Sequence, residues 1–269
     1  MQTNAILRKR SFRLFWRNRG MLWAIFLLFA LINFSWGMIQ NYLLKNALLS
    51  NSLFLVYQVG LAPIMNFGLT HILLRIVHGS EVNMTMLLDF VKPPQVLKRV
   101  YTASLIVNFP YLIILLTNIL GTPSVETREQ FYLLLAAVFV AVSIIFWIML
   151  RLFLLPYLFI TKPNENISAL VKLSYQRMKG KVKHLIWFGI TVYFWLILLL
   201  IGLSVMLSKL ISYEAGKAGG QHPLVILIFF MTFALLNPYI SLSLASYANE
   251  LLPEEDMKKA RRKSRDFIG

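Results

Sequence analysis

The stretch Phe131–Leu150, FYLLLAAVFVAVSIIFWIML, runs for 20 residues without a charged side chain. As an α-helix rising about 1.5 Å per residue it would be about 30 Å long, the thickness of a bilayer's hydrocarbon core. A strand of a transmembrane barrel would instead alternate apolar and polar residues over about ten positions. No such alternation is present, so the block reads as one membrane-spanning helix.

Five further apolar blocks flank it: Met21–Ile39, Leu53–Leu74, Tyr101–Leu120, Leu185–Leu207 and Leu224–Tyr247. The expected fold is all-α, a polytopic transmembrane helix bundle of about six spans. Residues 1–269 then form a single integral membrane domain. The fourth block stays apolar as far as Ile160, past Arg151 and Pro156. That tail is either a long tilted helix or an interfacial extension after a proline kink. Composition agrees, with 58% hydrophobic and 14% charged residues, where a soluble domain carries about 25% charged. The basic N-terminus ahead of an apolar run resembles a signal peptide, but no small-residue cleavage site follows. Met21–Ile39 is therefore expected to be retained as the first span.

The net charge is +16, and its distribution sets the orientation. Residues 1–20 hold Arg8, Lys9, Arg10, Arg13, Arg17 and Arg19. Lys92, Lys98 and Arg99 follow the second block, with Arg75 at its edge. Lys162, Lys172, Arg177, Lys179, Lys181 and Lys183 follow the fourth, and six more cations lie in the 248–269 tail. The alternate connections hold little more than Lys45, Arg128 and Lys217, with Lys209 at a block's end. The positive-inside rule then places both termini in the cytoplasm of a multi-pass protein of the cell membrane. Cations beside apolar blocks have the anionic inner leaflet as their natural partner, so no nucleic acid is expected.

The segment Glu81–Leu116 can be laid over Glu165–Leu200 at a constant offset, each running from an acid through an amphipathic stretch and basic cluster into a span. A third copy begins at Ser11, which aligns with Ser174. Residues 1–20 and the stretch around Ser174–Lys181 read as basic amphipathic helices on the cytoplasmic interface. Arg13, Arg17, Arg19, Arg177, Lys179, Lys181 and Lys183 are the candidate contacts to anionic lipid. Ordinary anchoring of a connecting loop is the preferred role for such helices, with lipid or curvature sensing as the functional alternative.

All 11 acidic residues lie outside the spans, at their ends or in the tail. That weakens a coupled transporter, which places an ionisable group within the membrane. Polar positions within the spans are Asn33, Asn66, His71, Asn108 and Asn237. Their simplest role is bonding between helices, about 0.6–2 kcal/mol each; the alternative is a polar cavity for a headgroup or peptide. Pro63, Pro110 and Pro238 lie near three of these asparagines, and prolines break helices at transporter sites. Arg151 either snorkels to the inner interface, the preferred reading, or faces the bundle and holds a lipid phosphate or helix carbonyls.

The catalytic templates fail: there is no Walker loop, HExxH or GxSxG, and the chain has no cysteine. The histidines at 71, 78, 184 and 222 lack metal-ligand spacing. His78 and Glu81 are close enough to share a metal but lack a third ligand. The expectation is a non-enzyme without cofactor or metal.

Leu154-Leu155-Pro156-Tyr157, Glu165-Asn166-Ile167-Ser168-Ala169-Leu170 and Ser174-Tyr175-Gln176-Arg177-Met178-Lys179-Gly180-Lys181 together carry a resemblance. So do the basic N-terminal helix and Asn237-Pro238-Tyr239. The chain resembles a six-span bacterial membrane family, common in Gram-positives, that is catalogued as a domain of unknown function. That family is loosely similar to the membrane-anchor domain of glycerophosphodiester phosphodiesterases. The resemblance implies fold and orientation, and no phosphodiesterase domain is present to carry that activity over. The expected function is a non-catalytic accessory or assembly component of a membrane complex, with membrane lipids and another membrane protein as partners. The alternative is a permease subunit exporting a lipid-like or peptide substrate, working with an ATPase or transport complex.

Overall fold

The structure, a computed structural model, describes residues 3–39, 47–89, 94–120, 128–194 and 223–252, with Leu198 and Gly202. Over 47–55, 110–120 and 223–235 it describes the backbone alone. Most of the C-terminal half of the fifth apolar block, the connections holding Lys45 and Lys217, and the tail beyond 252 lie outside the described residues.

The described residues are helical, without strands: α1 Asn4–Arg17, α2 Arg19–Met38, α3 Ala47–Val77, α4 Met86–Asp89, α5 Pro94–Leu120, α6 Arg128–Leu152, α7 Leu155–Thr161, α8 Ile167–Met178, α9 Val182–Phe194 and α10 Pro223–Leu251. Among them three stretches are long and apolar enough to cross a membrane: Arg19–Trp36, Val59–Val77 and Tyr132–Thr161. They coincide with the first, second and fourth apolar blocks. The third and sixth blocks fall on α5 and α10, and the fifth begins on α9. Each of these runs partly outside the described side chains.

The fourth block is broken after Leu152. Pro156 has no N–H to continue the ladder of α6, so that helix stops at Leu152 and the chain turns at Phe153 and Leu154. Pro156 then sits in the first turn of α7, where a missing donor costs nothing. The Leu158 N–H donates to Leu154 O at 2.9 Å, restarting the ladder. The C-terminal part of the block, Leu155–Thr161, is thus a short helix after a break.

Other boundaries follow from caps and glycines. Only Asn18 separates α1 from α2; its side-chain amide donates to Leu14 O at 2.9 Å. At the end of α3, Gly79 at φ +75° lets its own N–H reach Ile76 O and that of Ser80 reach Arg75 O, both at 3.0 Å. Paired bonds of this kind, around a left-handed glycine, satisfy the last carbonyls of a helix. Gly180 at φ +77° follows the extended Lys179 in a different turn between α8 and α9, closed by the Lys181 N–H donating to Met178 O at 3.0 Å. Asn166 caps α8 by accepting the N–H of Ser168 at 3.3 Å.

The chain divides into two compact units. The first comprises Met1–Met38, Leu73–Met84 and His184–Leu251. In it α1 and α2 pack against α10. Leu7, Ser11 and Phe15, four residues apart, form the buried stripe of α1. The ring of Phe15 meets Tyr239 edge-on at 6.1 Å, and Phe12 meets the same tyrosine at 6.2 Å. Phe188 of α9 stacks on Tyr247 of α10 at 5.0 Å. Each such aromatic pair adds about 0.5–1.5 kcal/mol beyond its area.

The second unit comprises Ile39–Ile72, Thr85–Lys183 and Leu252–Gly269. Here α8 packs on α6 and α7, and α5 touches all three. Phe67 of α3 meets Phe159 of α7 edge-on at 5.1 Å. Gly68 is what allows α3 and α4 to approach, since a Cβ there would collide with the Leu87 carbonyl.

The two long surface helices are built alike. Leu170, Ser174 and Met178 are the buried stripe of α8, matching Leu7, Ser11 and Phe15 of α1 position for position. The sequence alignment of Ser11 with Ser174 is therefore reproduced in burial. In the copy after Glu81 the described part of the corresponding stretch is the helix α4, Met86–Asp89.

Candidate functional site

The polar side chains gather at helix ends beside the basic segments. In the second unit the centre of interest is Arg151, in the last turn of α6. A cation there is favoured by the negative end of the helix dipole. Its guanidinium carbon lies 5.0 Å from the ring centre of Trp147, one turn earlier, and 4.8 Å from that of Tyr175 on α8. The two rings lie against the guanidinium from α6 and from α8. The Ser174 hydroxyl donates to Arg151 O at 2.9 Å, satisfying one of the four carbonyls that a helix end leaves without partners. Nε and Nη1 of Arg151 are enclosed and have no hydrogen-bond partner. Nearby on α5, Arg99 lies 5.3 Å over the ring of Phe159 and donates to Glu165 O.

In the first unit a second polar cluster ties three segments together. The guanidinium of Arg10 on α1 reaches Val77 O at 3.4 Å and lies 3.9 Å from the Glu250 carboxylate on α10. His78 Nε2 is 2.8 Å from Oδ1 of Asn249. Asn249 is only 6% exposed, so its amide needs such a partner. Ser243 and Ser246 are also buried on α10, and Ser246 returns its hydroxyl to Leu242 O at 2.9 Å.

The span positions singled out in the sequence do not share one arrangement. Asn33 donates to Phe29 O on its own helix at 2.7 Å, and Asn108 to Ser104 Oγ on its own helix at 2.8 Å. Asn66 is exposed, while His71 and Asn237 are half-buried. Helix α3 runs on through Pro63 and α10 through Pro238, so neither is a broken helix. Among the candidate lipid contacts, Arg13, Arg17, Arg19, Arg177, Lys179 and Lys183 are exposed and Lys181 is half-exposed. Arg19 lies 4.5 Å over the Trp16 ring.

The sequence analysis aligns Ser11 with Ser174 but does not single out Arg10, Tyr175 or Asn249 as site residues, and it leaves His78 without the Asn249 partner that the structure gives it. One signal was present: Pro-Tyr-Leu at 110–112 and 156–158 and Pro-Tyr-Ile at 238–240 recur on three apolar blocks. Tyr157 and Tyr239 both join aromatic clusters, with Phe153 and with Phe12 and Phe15. Among the described residues no three His, Asp or Glu side chains are grouped as a metal site would require. No family model, curated protein or solved structure matches the chain.

Proposed function

We propose that the chain is a six-span integral membrane protein, with both termini in the cytoplasm, acting as a non-catalytic accessory or assembly component of a membrane complex. The observation that carries this reading is the contrast between the two ends of α6. From Tyr132 to Met149 its apolar side chains are open, with Leu133 71% and Phe139 73% exposed, while its last turn is locked to α8 through Arg151 and Ser174. A helix apolar all round belongs among lipid tails or other membrane helices. Water would penalise such exposure at about 25 cal/mol per Å². The locked end lies beside the basic α8 and the six cations of the connection after the fourth block. Positive-inside placement puts that end on the cytoplasmic face.

The role follows from what the two faces offer. The outer connections are short and carry few charges, whereas the inner face presents two amphipathic helices, α1 and α8, with exposed cations. Partners are therefore met through the inner face or through the open sides of the spans. Affinity purification of the full-length protein from native membranes tests this. Recovery with a stoichiometric membrane complex supports the accessory role; a stoichiometric ATPase would replace it with the export permease. Recovery of the protein alone would overturn both.

A further inference from the structure

The Arg151 slot has the chemistry of a ligand site. Its floor is fixed: Ser174 holds the Arg151 main chain at 2.9 Å, and Ser174 itself is fully buried. Its walls are two aromatic rings, Trp147 and Tyr175, with the cation 5.0 and 4.8 Å from their centres. Rings against the faces of a guanidinium stabilise the charge and leave its in-plane N–H groups to find acceptors elsewhere. Yet Nε and Nη1 are enclosed with no acceptor. A shielded donor without a partner costs about 1–3 kcal/mol, and more when charged. An anion with several oxygens removes that cost once the half-exposed Trp147 and Tyr175 rings shift to admit it.

The slot is reachable, since Trp147 is 49% and Tyr175 51% exposed. Lys172, one turn before Tyr175 on α8, and Lys179, just past the end of that helix, are exposed as well and add positive potential to this part of the surface. What lies on the other side selects the ligand. Ile144, Phe146, Ile148 and Met149 expose apolar surface along the turns of α6 leading to Arg151. The surface thus changes from an apolar wall to a caged guanidinium within one helix, which suits an amphiphile with a phosphate head.

We propose that this slot binds the phosphate of an anionic phospholipid headgroup, with Arg151 as the fork and the acyl chains lying along α6. The site rests on the membrane reading above and deepens it by naming a ligand class. It makes the surface helix α8 part of a lipid clamp, because Tyr175 and Ser174 both act on Arg151.

Native mass spectrometry of the full-length protein, titrated with phosphatidylglycerol, phosphatidylcholine or inorganic phosphate, tests it. The wild type is expected to retain phosphatidylglycerol in preference to phosphatidylcholine. Arg151→Gln lowers retention about tenfold, the equivalent of one lost charge-assisted bond. Arg151→Lys restores only part, because an ammonium keeps the charge without the planar fork. Tyr175→Leu, which alters no charge, lowers retention severalfold and serves if Arg151→Gln does not fold. Equal retention by wild type, Arg151→Gln and Tyr175→Leu would overturn the site. Inorganic phosphate binding with no retained lipid would overturn the lipid assignment. Release of the wild type from membranes by alkaline carbonate would overturn the membrane reading itself, whereas a carbonate-resistant protein without Arg151 dependence overturns the site alone.

Discussion

The hydroxyl of Ser174 donates to the main-chain carbonyl of Arg151 at 2.9 Å, so a surface helix closes the end of an apolar helix 23 residues earlier in the chain. Ser11 occupies the same place on α1 and is equally buried, but its hydroxyl turns back to Leu7 O of its own helix at 2.8 Å. Removing the two hydroxyls should therefore have unequal effects. Ser174→Ala leaves a helix-end carbonyl without its partner and should cost about 1–2 kcal/mol. Ser11→Ala removes a bond to a carbonyl that already accepts within the helix, and should cost under about 0.5 kcal/mol. Thermal unfolding in detergent compares them; a larger drop for Ser11→Ala would contradict the assigned roles.

Gly68 and Gly60 lie on the same helix in opposite situations. A Cβ at Gly68 would strike the Leu87 backbone, whereas nothing lies within 4 Å of one at Gly60. Backbone cannot swing aside as a flexible side chain can, so Gly68→Ala must push α4 away from α3. Gly60→Ala should stabilise slightly, by up to about 1 kcal/mol, through helix propensity alone. The expected result is a lowered yield of monodisperse protein for Gly68→Ala and an undiminished yield for Gly60→Ala. Equal behaviour of the two would show that the α3–α4 contact is dispensable.

These relationships mark how far the sequence could be read. Helix positions were legible because long apolar blocks admit few alternatives: Met21–Ile39 became α2, and the break at Pro156 was one of two stated outcomes. The pairing of α1 with α8 was legible through Ser11 and Ser174. Contacts across long separations were not. Trp147 lies one turn from Arg151 and could have been named, but Tyr175 belongs to α8, a separate helix reached through α7 and the connection at 162–166. The His78–Asn249 bond joins residues 171 positions apart, and nothing in local pattern marks Asn249. Gly68 reads as an ordinary helical glycine until the residues near 87 are brought against it.

At the Arg10 and Asn249 cluster, burial should outrank charge. The Arg10–Glu250 pair is 3.9 Å apart with side chains 38% and 17% exposed, and a partly solvated pair of that length contributes at most about 1 kcal/mol. Asn249 is nearly enclosed and bonded to His78 at 2.8 Å. Asn249→Ala leaves the imidazole without that bond and opens a small void, costing about 1–3 kcal/mol. Glu250→Gln should change the melting temperature less than Asn249→Ala. The reverse order would mean that the ion pair, and not the buried amide, holds these segments together.

Orientation is testable in a chain without cysteine, provided the probes are placed on exposed faces. Phe15 and Met178 are buried at 7% and 0%, so a cysteine at either would be silent whichever side it faced. Phe12, 56% exposed on α1, and Gln176, exposed on α8, are suitable instead. If both surface helices lie on the cytoplasmic face, a membrane-impermeant maleimide should label Phe12→Cys and Gln176→Cys only in inverted vesicles. Lys45→Cys and Glu126→Cys, in the charge-poor connections, should label in intact cells. Labelling of position 12 or 176 from outside would reverse the topology. It would also remove the anionic inner leaflet as the partner of α8, because the cations around Tyr175 would then face the wrong surface.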